Sequence, residues 1–324
     1  MNITVLTYLE KEKARSYDEV VGQVAEALRR GGHNVSVLGA HGNVKALIAG
    51  LSRRNPDMVF NLMEMFGDNI FGDVAVVGLL DLVGITHTGG GPGEVYLQQD
   101  KALAKKLLAY EKIRFPDFAV FGRDADLETG GNLRMPLFVK PLRADGSLGI
   151  GASALVHDAT DMMKRVRVIH QQFHDAALAE EYIEGREFYV GVLGNHGAQA
   201  FPPIEMDFSG LADGAPHVLG KKAKWSKGSA EYKGTRAVLA DVSDELRARL
   251  QKTALDAYRA LRVRDYGRVD MRLAPTNDIY VLEVNASCYL EQSGEYATAA
   301  AAAGLDYPAL INKIVELAVA RQQK

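Results

Sequence analysis

GRVDMRLAPTNDIYVLEVNAS, residues 267–287, contains two runs that alternate polar and apolar side chains around a Pro-Thr-Asn-Asp turn. With the turn at Pro275–Asp278, the period of two in strand side chains sets Asp270 opposite Glu283 and Arg268 opposite Asn285. Arg268, Asp270 and Arg272 then share a face with Val281, Glu283 and Asn285, while Val269, Met271, Leu273, Leu282 and Val284 form an apolar face that a core can cover. Two carboxylates directly opposed across a ladder repel each other. Either both are solvated and neutralised by the flanking arginines, or something cationic sits between them. Two carboxylates and an amide oxygen suit Mg²⁺, which takes a few protein carboxylates together with substrate phosphates. Arg268 alongside suits a phosphate or a developing negative charge.

Upstream of the hairpin, three further stretches bear on that choice. In PLFVKPLRADGSLGIGAS (136–153), Lys140 closes an apolar strand and a loop with Gly146, Ser147, Gly149 and Gly151 follows. Glycines let backbone N–H groups approach phosphate oxygens closely, although no Gly-Lys-Ser/Thr follows to make a Walker loop. Taken alone, the loop reads equally as a flexible hairpin connection. In QQDKALAKKLL (98–108), Asp100 is a helix N-cap and Lys101 sits in the first turn, where the helix dipole disfavours a cation. In AEEYIEGREFYVGVLG (179–194), a strand breaks at Glu184-Gly185 and resumes. Such a break frees backbone groups that can read an adenine edge, and Glu187 beyond it can accept from ribose hydroxyls; an edge-strand kink with solvated acids is the plainer alternative.

The rest of the chain frames these motifs. Residues 1–90 alternate strands (NITVLTYL, HNVSVLGA, PDMVFNL) with helices at 16–31, up to about Leu51, and 71–84, a pattern that predicts a parallel, doubly wound sheet. TGGGPGEV (88–95) reads as a Gly/Pro break. The middle of the chain shows short strands and a helix over 158–173. Strands dominate from 177, and helices follow at 243–261, 295–303 and 307–321. The expected fold class is therefore α/β and α+β, divided as 1–95, 96–180 and 181–324.

Net charge of −3 gives no bulk attraction for nucleic acid, and one cysteine, Cys288, excludes an intrachain disulfide and fits a reducing compartment. Cys288 has no histidine partner by spacing and reads as a buried structural thiol. No apolar run approaches a membrane span, and the N-terminal run is too short for a signal peptide, so a cytoplasmic protein is expected.

In order and spacing, the helix-start lysine, the VKP strand with its glycine loop, EEYIEGREF, the basic KKAKW (221–225) and GRVDMRL…VLEVNAS resemble the ATP-grasp superfamily, and within it the D-alanine–D-alanine ligase-like branch. The resemblance runs from about residue 57 to the end. It implies an ATP-grasp fold, with an N-terminal parallel α/β domain and central and C-terminal ATP-grasp subdomains. It also implies a ligase joining a carboxylate and an amine through an acyl phosphate. By resemblance, Lys101, Lys140 and the 146–151 loop contact ATP phosphates, and Glu180 with the backbone of Glu181, Tyr182 and Ile183 holds adenine. Glu187 takes the ribose, and Asp270, Glu283 and Asn285 bind two Mg²⁺ (or Mn²⁺). Arg268, Lys224 and the Ser293-Gly294 pair serve the reacting centre. Relatives are commonly homodimers, and the apolar 71–84 helix is suited to that role.

The substrate-binding signatures of the ligases are altered. TYLEKEKARSYDE (7–19) replaces the usual turn after the first strand, NLMEMFGDNIFGD (61–73) has Glu64 and no histidine, and ASCYLEQSGEYA (286–297) replaces Thr-Ser-Pro-Gly-Met. The ATP machinery is kept while the amino-acid machinery differs, which predicts a ligase whose main product is not D-alanyl-D-alanine. Glu64, Tyr289, Glu291 and Glu295 are candidate substrate contacts, and 225–236 a candidate flap over the acyl phosphate. True D-alanine–D-alanine ligation, transfer to a non-amine acceptor, and a non-catalytic nucleotide-binding role are the alternatives.

Overall fold

The computed structural model describes the chain except residues 12, 13, 15, 125, 126, 131, 132, 145–148, 213, 215, 216, 221, 222, 225, 227, 323 and 324, and gives the backbone alone for 129, 130 and 152. Gly146 and Ser147 of the glycine loop, and three of the five KKAKW residues, lie outside the described residues.

Strands β1 (Asn2–Tyr8), β2 (Asn34–Ala40) and β3 (Met58–Leu62) form a parallel sheet in the order β2-β1-β3. The connecting helices, Glu19–Arg30 and Val44–Arg54, begin where Asp18 and Asn43 cap backbone N–H groups, so the local sequence sets both starts. The third helix, Gly72–Leu82, stops before Gly84, whose φ of 70° suits a residue without Cβ. A parallel bridge from Val59 to His87 continues this sheet into the 88–91 stretch. That stretch is buried rather than an exposed break. The Thr88 hydroxyl accepts the Asn61 N–H, and Gly89 N–H donates to Asp265, which is fully buried. A helix the sequence reading missed, Pro92–Gln99, follows at once, with Pro at its first positions. Asp100 ends it and caps the next helix, Lys101–Tyr110. The expected division at 95/96 thus falls inside a helix.

The middle sheet is antiparallel, in the order β5-β4-β8-β6-β7: β4 (Phe118–Phe121), β5 (Leu127–Gly130), β6 (Leu137–Pro141), β7 (Leu155–Val156) and β8 (Ala177–Glu181). The Ala159–Gln172 helix covers it through Val166 and Ile169. The third sheet runs β12-β11-β9-β13-β14, with β10 at the end of β9: β9 (Arg186–Leu193), β10 (Gln199–Ala200), β11 (Ile204–Asp207), β12 (Arg236–Leu239), β13 (Tyr266–Leu273) and β14 (Ile279–Asn285). Its apolar face packs on the Asp244–Ala260 helix through Val190, Val269, Leu250 and Ala254. The opposite face, with Tyr189 and Ile204, meets the first helix and the Glu295–Ala302 and Tyr307–Gln322 helices in one core. Among the described residues no helix is long and apolar enough to cross a membrane.

The opening hairpin pairs as the alternation predicts at its site end, Arg268 with Asn285 and Asp270 with Glu283. Beyond Asp270 the register slips, so that Met271 meets Val281 and Arg272 meets Tyr280. Leu282 is the extra residue of a β-bulge. Val281 is therefore turned to the apolar face with Met271, not to the acid face as simple alternation requires. The bulge also lets Leu282 border the cleft beside Glu283.

Candidate active site

The 179–194 stretch changes sheets at its break: β8 belongs to the middle sheet and β9 to the third. Gly185 makes the crossing at φ 128°, and a Cβ there would stand 2.0 Å from the Leu273 carbonyl oxygen. The two sheets open a cleft at this crossing. Phe138, Lys140 and Glu180 line one side, and Tyr189, Asp270 and Glu283 the other. Ile183, Glu187, Arg272 and Lys224 also border it.

Cations and carboxylates are closely paired here. Lys140 Nζ lies 2.6 Å from one Glu180 oxygen and Lys105 Nζ 2.8 Å from the other. Burial opposes ionisation of Glu180, but the two ammoniums overcome it and hold its carboxyl down at about 2. Burial pulls Lys105 below the ordinary lysine value; at Lys140, burial acts in the same sense, yet Glu180 and Glu283 outweigh it and raise the value. Lys101 Nζ donates to the Ala144 carbonyl at 3.0 Å, at the base of the glycine loop, and stands 3.5 Å from Glu283. Lys101 and Lys140 are thus brought together with Glu283, as the motif reading requires. Of the two described glycines of the loop, Gly149 has φ 74° and packs near Pro141 and Phe173, and Gly151 has open space at its Cβ position.

At the hinge, Glu181 turns its carboxylate to Arg134, and its N–H donates to the Asp117 carbonyl. The Tyr182 N–H donates to Pro136, and the Ile183 carbonyl accepts from Arg272. Among the described residues, the Ile183 N–H has no protein acceptor. Glu187 is not the solvated acid of the plainer reading. It is buried, with one oxygen taken by the Arg272 guanidinium at 2.8 Å and the other by the Tyr189 hydroxyl at 2.9 Å. The Arg272 guanidinium carbon rests 4.9 Å from the centroid of the Tyr182 ring.

On β13, Arg268 grips Asp270 through two hydrogen bonds of 2.7 and 2.8 Å, and Asn285 donates to the same carboxylate at 3.2 Å. Burial pushes Asp270 above the ordinary aspartate value, against the pull of Arg268. Arg268 also stacks 4.5 Å from the Tyr189 centroid and reaches within 3.9 Å of Glu295. Glu295 opens the Glu295–Ala302 helix, so Ser293 and Gly294 approach Arg268 through it; Gly294 is the N-cap, and the Ser293 hydroxyl donates to Glu291 at 2.6 Å.

A second cavity, of about 650 Å³, lies on the other side of Arg268. Tyr266, two residues before Arg268, and Ser287, two residues after Asn285, border it, while Asp270 and Glu283 border the first cleft. Residues two apart on one strand face are roughly 7 Å apart, so Arg268 and Asn285 stand between the two spaces. Of the candidate substrate contacts, Glu64 and Tyr289 line this cavity, and the Tyr289 hydroxyl donates to Asp18 at 2.7 Å. Glu291 and Glu295 are not in its lining. Cys288 borders it but is buried, and burial pushes its thiol up to about 12, which leaves it protonated and without nucleophilic character at neutral pH. In the 225–236 stretch, the described residues include a one-turn helix at Ala230–Lys233 and lead into β12.

Motif reading named Lys101 but missed Lys105. The signal was present: positions four apart share a helix face, and Lys105 is buried while neighbouring Lys106 is exposed. Phe138 and Leu282, which wall the cleft, lie inside quoted motifs but bear no polar group to single them out, and Val218 lies outside all of them.

Known proteins resemble this chain along most of its length. The family described as D-ala D-ala ligase C-terminus matches residues 107–316. An uncharacterized protein, y4sG, of Sinorhizobium fredii is 32% identical over 308 residues, covering 92% of this chain and 87% of its own. The D-alanine–D-alanine ligase of Bordetella petrii is 32% identical over 251 residues (77% of this chain, 73% of its own). Among solved structures, D-alanine–D-alanine ligase from Bacillus anthracis complexed with ATP superposes with a TM-score of 0.77 at 22% identity, covering 100% of this chain and 99% of that one. VanG D-Ala:D-Ser ligase from Enterococcus faecalis gives 0.73 at 22% identity, covering 98% and 99%. These superpositions establish the ATP-grasp fold.

Proposed function

Because the chain belongs to the D-alanine–D-alanine ligase family, we propose that it is an ATP-dependent carboxylate–amine ligase working through an acyl phosphate. The observation that carries this reading is the position of Arg268, between a cleft lined by lysines and carboxylates and a separate 650 Å³ cavity. ATP would lie in the cleft, with its base against the Tyr182–Ile183 hinge and its phosphates toward Lys101, Lys140 and Lys224. Glu180 would act on the adenine side through its tie to Lys140, and Glu187 would face the ribose. A substrate carboxylate in the second cavity attacks the γ-phosphorus, releasing ADP. An amine then attacks the acyl carbon and phosphate leaves, giving an amide. Lys224 and Arg268 spread negative charge over the transferring group, and no covalent enzyme nucleophile is required.

Asp270, Glu283 and Asn285 form an oxygen-donor set of the kind Mg²⁺ takes, and the ion pair of Glu283 with Lys101 is loose enough to leave its oxygens available. These residues would hold Mg²⁺ or Mn²⁺, which neutralises phosphate charge when bound. Ser293 and Gly294 would shape the acceptor side through Glu295. A small-molecule acid and amine are the substrates, in a cytoplasmic homodimer built on the Gly72–Leu82 helix, whose C-terminal end exposes the Leu82 and Val83 side chains. Limited proteolysis would test the three-part division of the chain, and sedimentation the dimer.

D-alanyl-D-alanine is not the favoured product. The second cavity is in the size range of sites for drug-sized ligands, roughly 300–1,000 Å³, and Glu64, Tyr17 and Tyr289 line it in place of the usual ligase motifs. ADP release coupled to product mass tests the reading. Turnover with a larger acid–amine pair is expected; high turnover with D-alanine alone overturns the substrate reading, and a non-amine adduct overturns the acceptor.

A further inference from the structure

Lys105 does not line the nucleotide cleft, yet it is 1% exposed and its ammonium joins both walls of that cleft. On one side it pairs with Glu180 at the end of β8, in the middle sheet, at 2.8 Å. On the other it donates at 3.2 Å to the carbonyl of Leu282, the bulged residue of β14 in the third sheet. The same ammonium stands over the Phe115 ring, 5.8 Å from its centroid. One turn earlier, Lys101 makes a looser span of the same kind, from Ala144 to Glu283.

We propose that Lys105 is a positioning residue that sets the separation of the two walls of the cleft and fixes the β14 bulge, so that Glu180 and Glu283 face one nucleotide at the right distance. The inference rests on the ATP-binding reading of the cleft. Two physical points support it. A buried lysine is costly unless its charge and its donors are matched, and here one acceptor comes from each wall. A bulge carbonyl turned away from its ladder also needs a donor, and Lys105 supplies one to Leu282. The sequence position of Glu283 opposite Asp270, rather than Leu282 opposite it, depends on that bulge.

Because Lys105 sits behind the walls and not against the ligand, its loss should weaken every part of the nucleotide alike. The test measures adenosine and ADP, both without divalent cation, by displacement of a fluorescent adenine nucleotide from Lys105→Met. Methionine keeps most of the volume but no donor. Both ligands are expected to bind about tenfold or more weakly, while Lys105→Arg recovers most of the affinity for both. A loss confined to ADP would make Lys105 a phosphate ligand and overturns the proposal. Unchanged affinity for both, with only the melting temperature lowered, also overturns it by showing a purely structural role. Should Lys105→Met fail to fold, Lys105→Gln, which keeps an amide donor without charge, is read by the same outcomes. Absence of ADP binding by the unaltered chain would sink the ATP reading itself, a result distinct from either.

Discussion

Glu180 lies between two ammonium groups in the interior, and its charge is a folding matter as well as a binding one. Its carboxyl is held at about 2 against an ordinary 4.5. A depressed carboxylate stabilises the folded state fully above the unfolded value and loses that contribution as pH falls through the folded one. The stability advantage of the unaltered chain over Glu180→Gln should therefore be constant above about pH 5 and shrink between pH 4.5 and 2; urea unfolding at a series of pH values checks it. A difference that grows on acidification contradicts the pairing. Glu283 makes a complementary case. Its side chain is 22% exposed and its ion pair is long at 3.5 Å, so folding depends on it little. Glu283→Gln should unfold near the unaltered midpoint while ADP release falls on the order of a hundredfold or more. Retained turnover would remove Glu283 from the site. Residue identity announced both acids in the sequence. It did not announce that Glu187, read as open to a ribose, is already bonded to Arg272 and Tyr189.

The break between β8 and β9 is an element-scale device. A continuous strand would keep both halves in one sheet; the break at Gly185 sends them to different sheets and makes the cleft wall. Because φ is 128° and the Leu273 oxygen occupies the Cβ position, Gly185→Ala should cost ~1–3 kcal/mol or more. It should also weaken ADP binding, since the hinge must shift. Denaturant midpoints and calorimetric titration of ADP measure the two effects, and an alanine variant of unchanged stability and affinity would deny the hinge its role. Helix starts were legible at this scale, because Asp18, Asp100, Asp158 and Ser243 each cap a backbone N–H a few residues on. The Pro92–Gln99 helix was not, since three glycines precede its proline and the eight residues carry little amphipathic pattern. The β14 bulge was equally hidden. Alternation assumes one residue per partner, and a bulge breaks that count without changing composition.

For the whole molecule, the C-terminal helix returns to the first layer. Asn312 donates to the Ala27 carbonyl, and Arg321 binds Asp265, itself bonded to Gly89 and Asn195. Asp265 is wholly buried, so removing its only guanidinium partner among the described residues leaves a poorly compensated charge. Arg321→Ala should cost ~3 kcal/mol while leaving the affinity of the folded protein for ADP unchanged, because neither Arg321 nor Asp265 lines the cleft. Chemical denaturation with a parallel ADP titration decides this. A small stability change would mean that Asn195 and the Gly89 N–H suffice for the carboxylate.

Local chemistry in the chain determined most of the elements, their caps, the hairpin that carries Asp270 and Glu283, and the family to which the motifs point. Each of these depends on residue type at short spacing, where side-chain period and backbone hydrogen bonding act. Tertiary structure alone decided which charges meet. Lys105 reaches Glu180 across 75 residues and Leu282 across 177, and Asp265 holds segments as distant as Gly89 and Arg321. Such pairings arise when the packing of three sheets brings remote side chains into a space that excludes water, and no periodicity along the sequence encodes that distance.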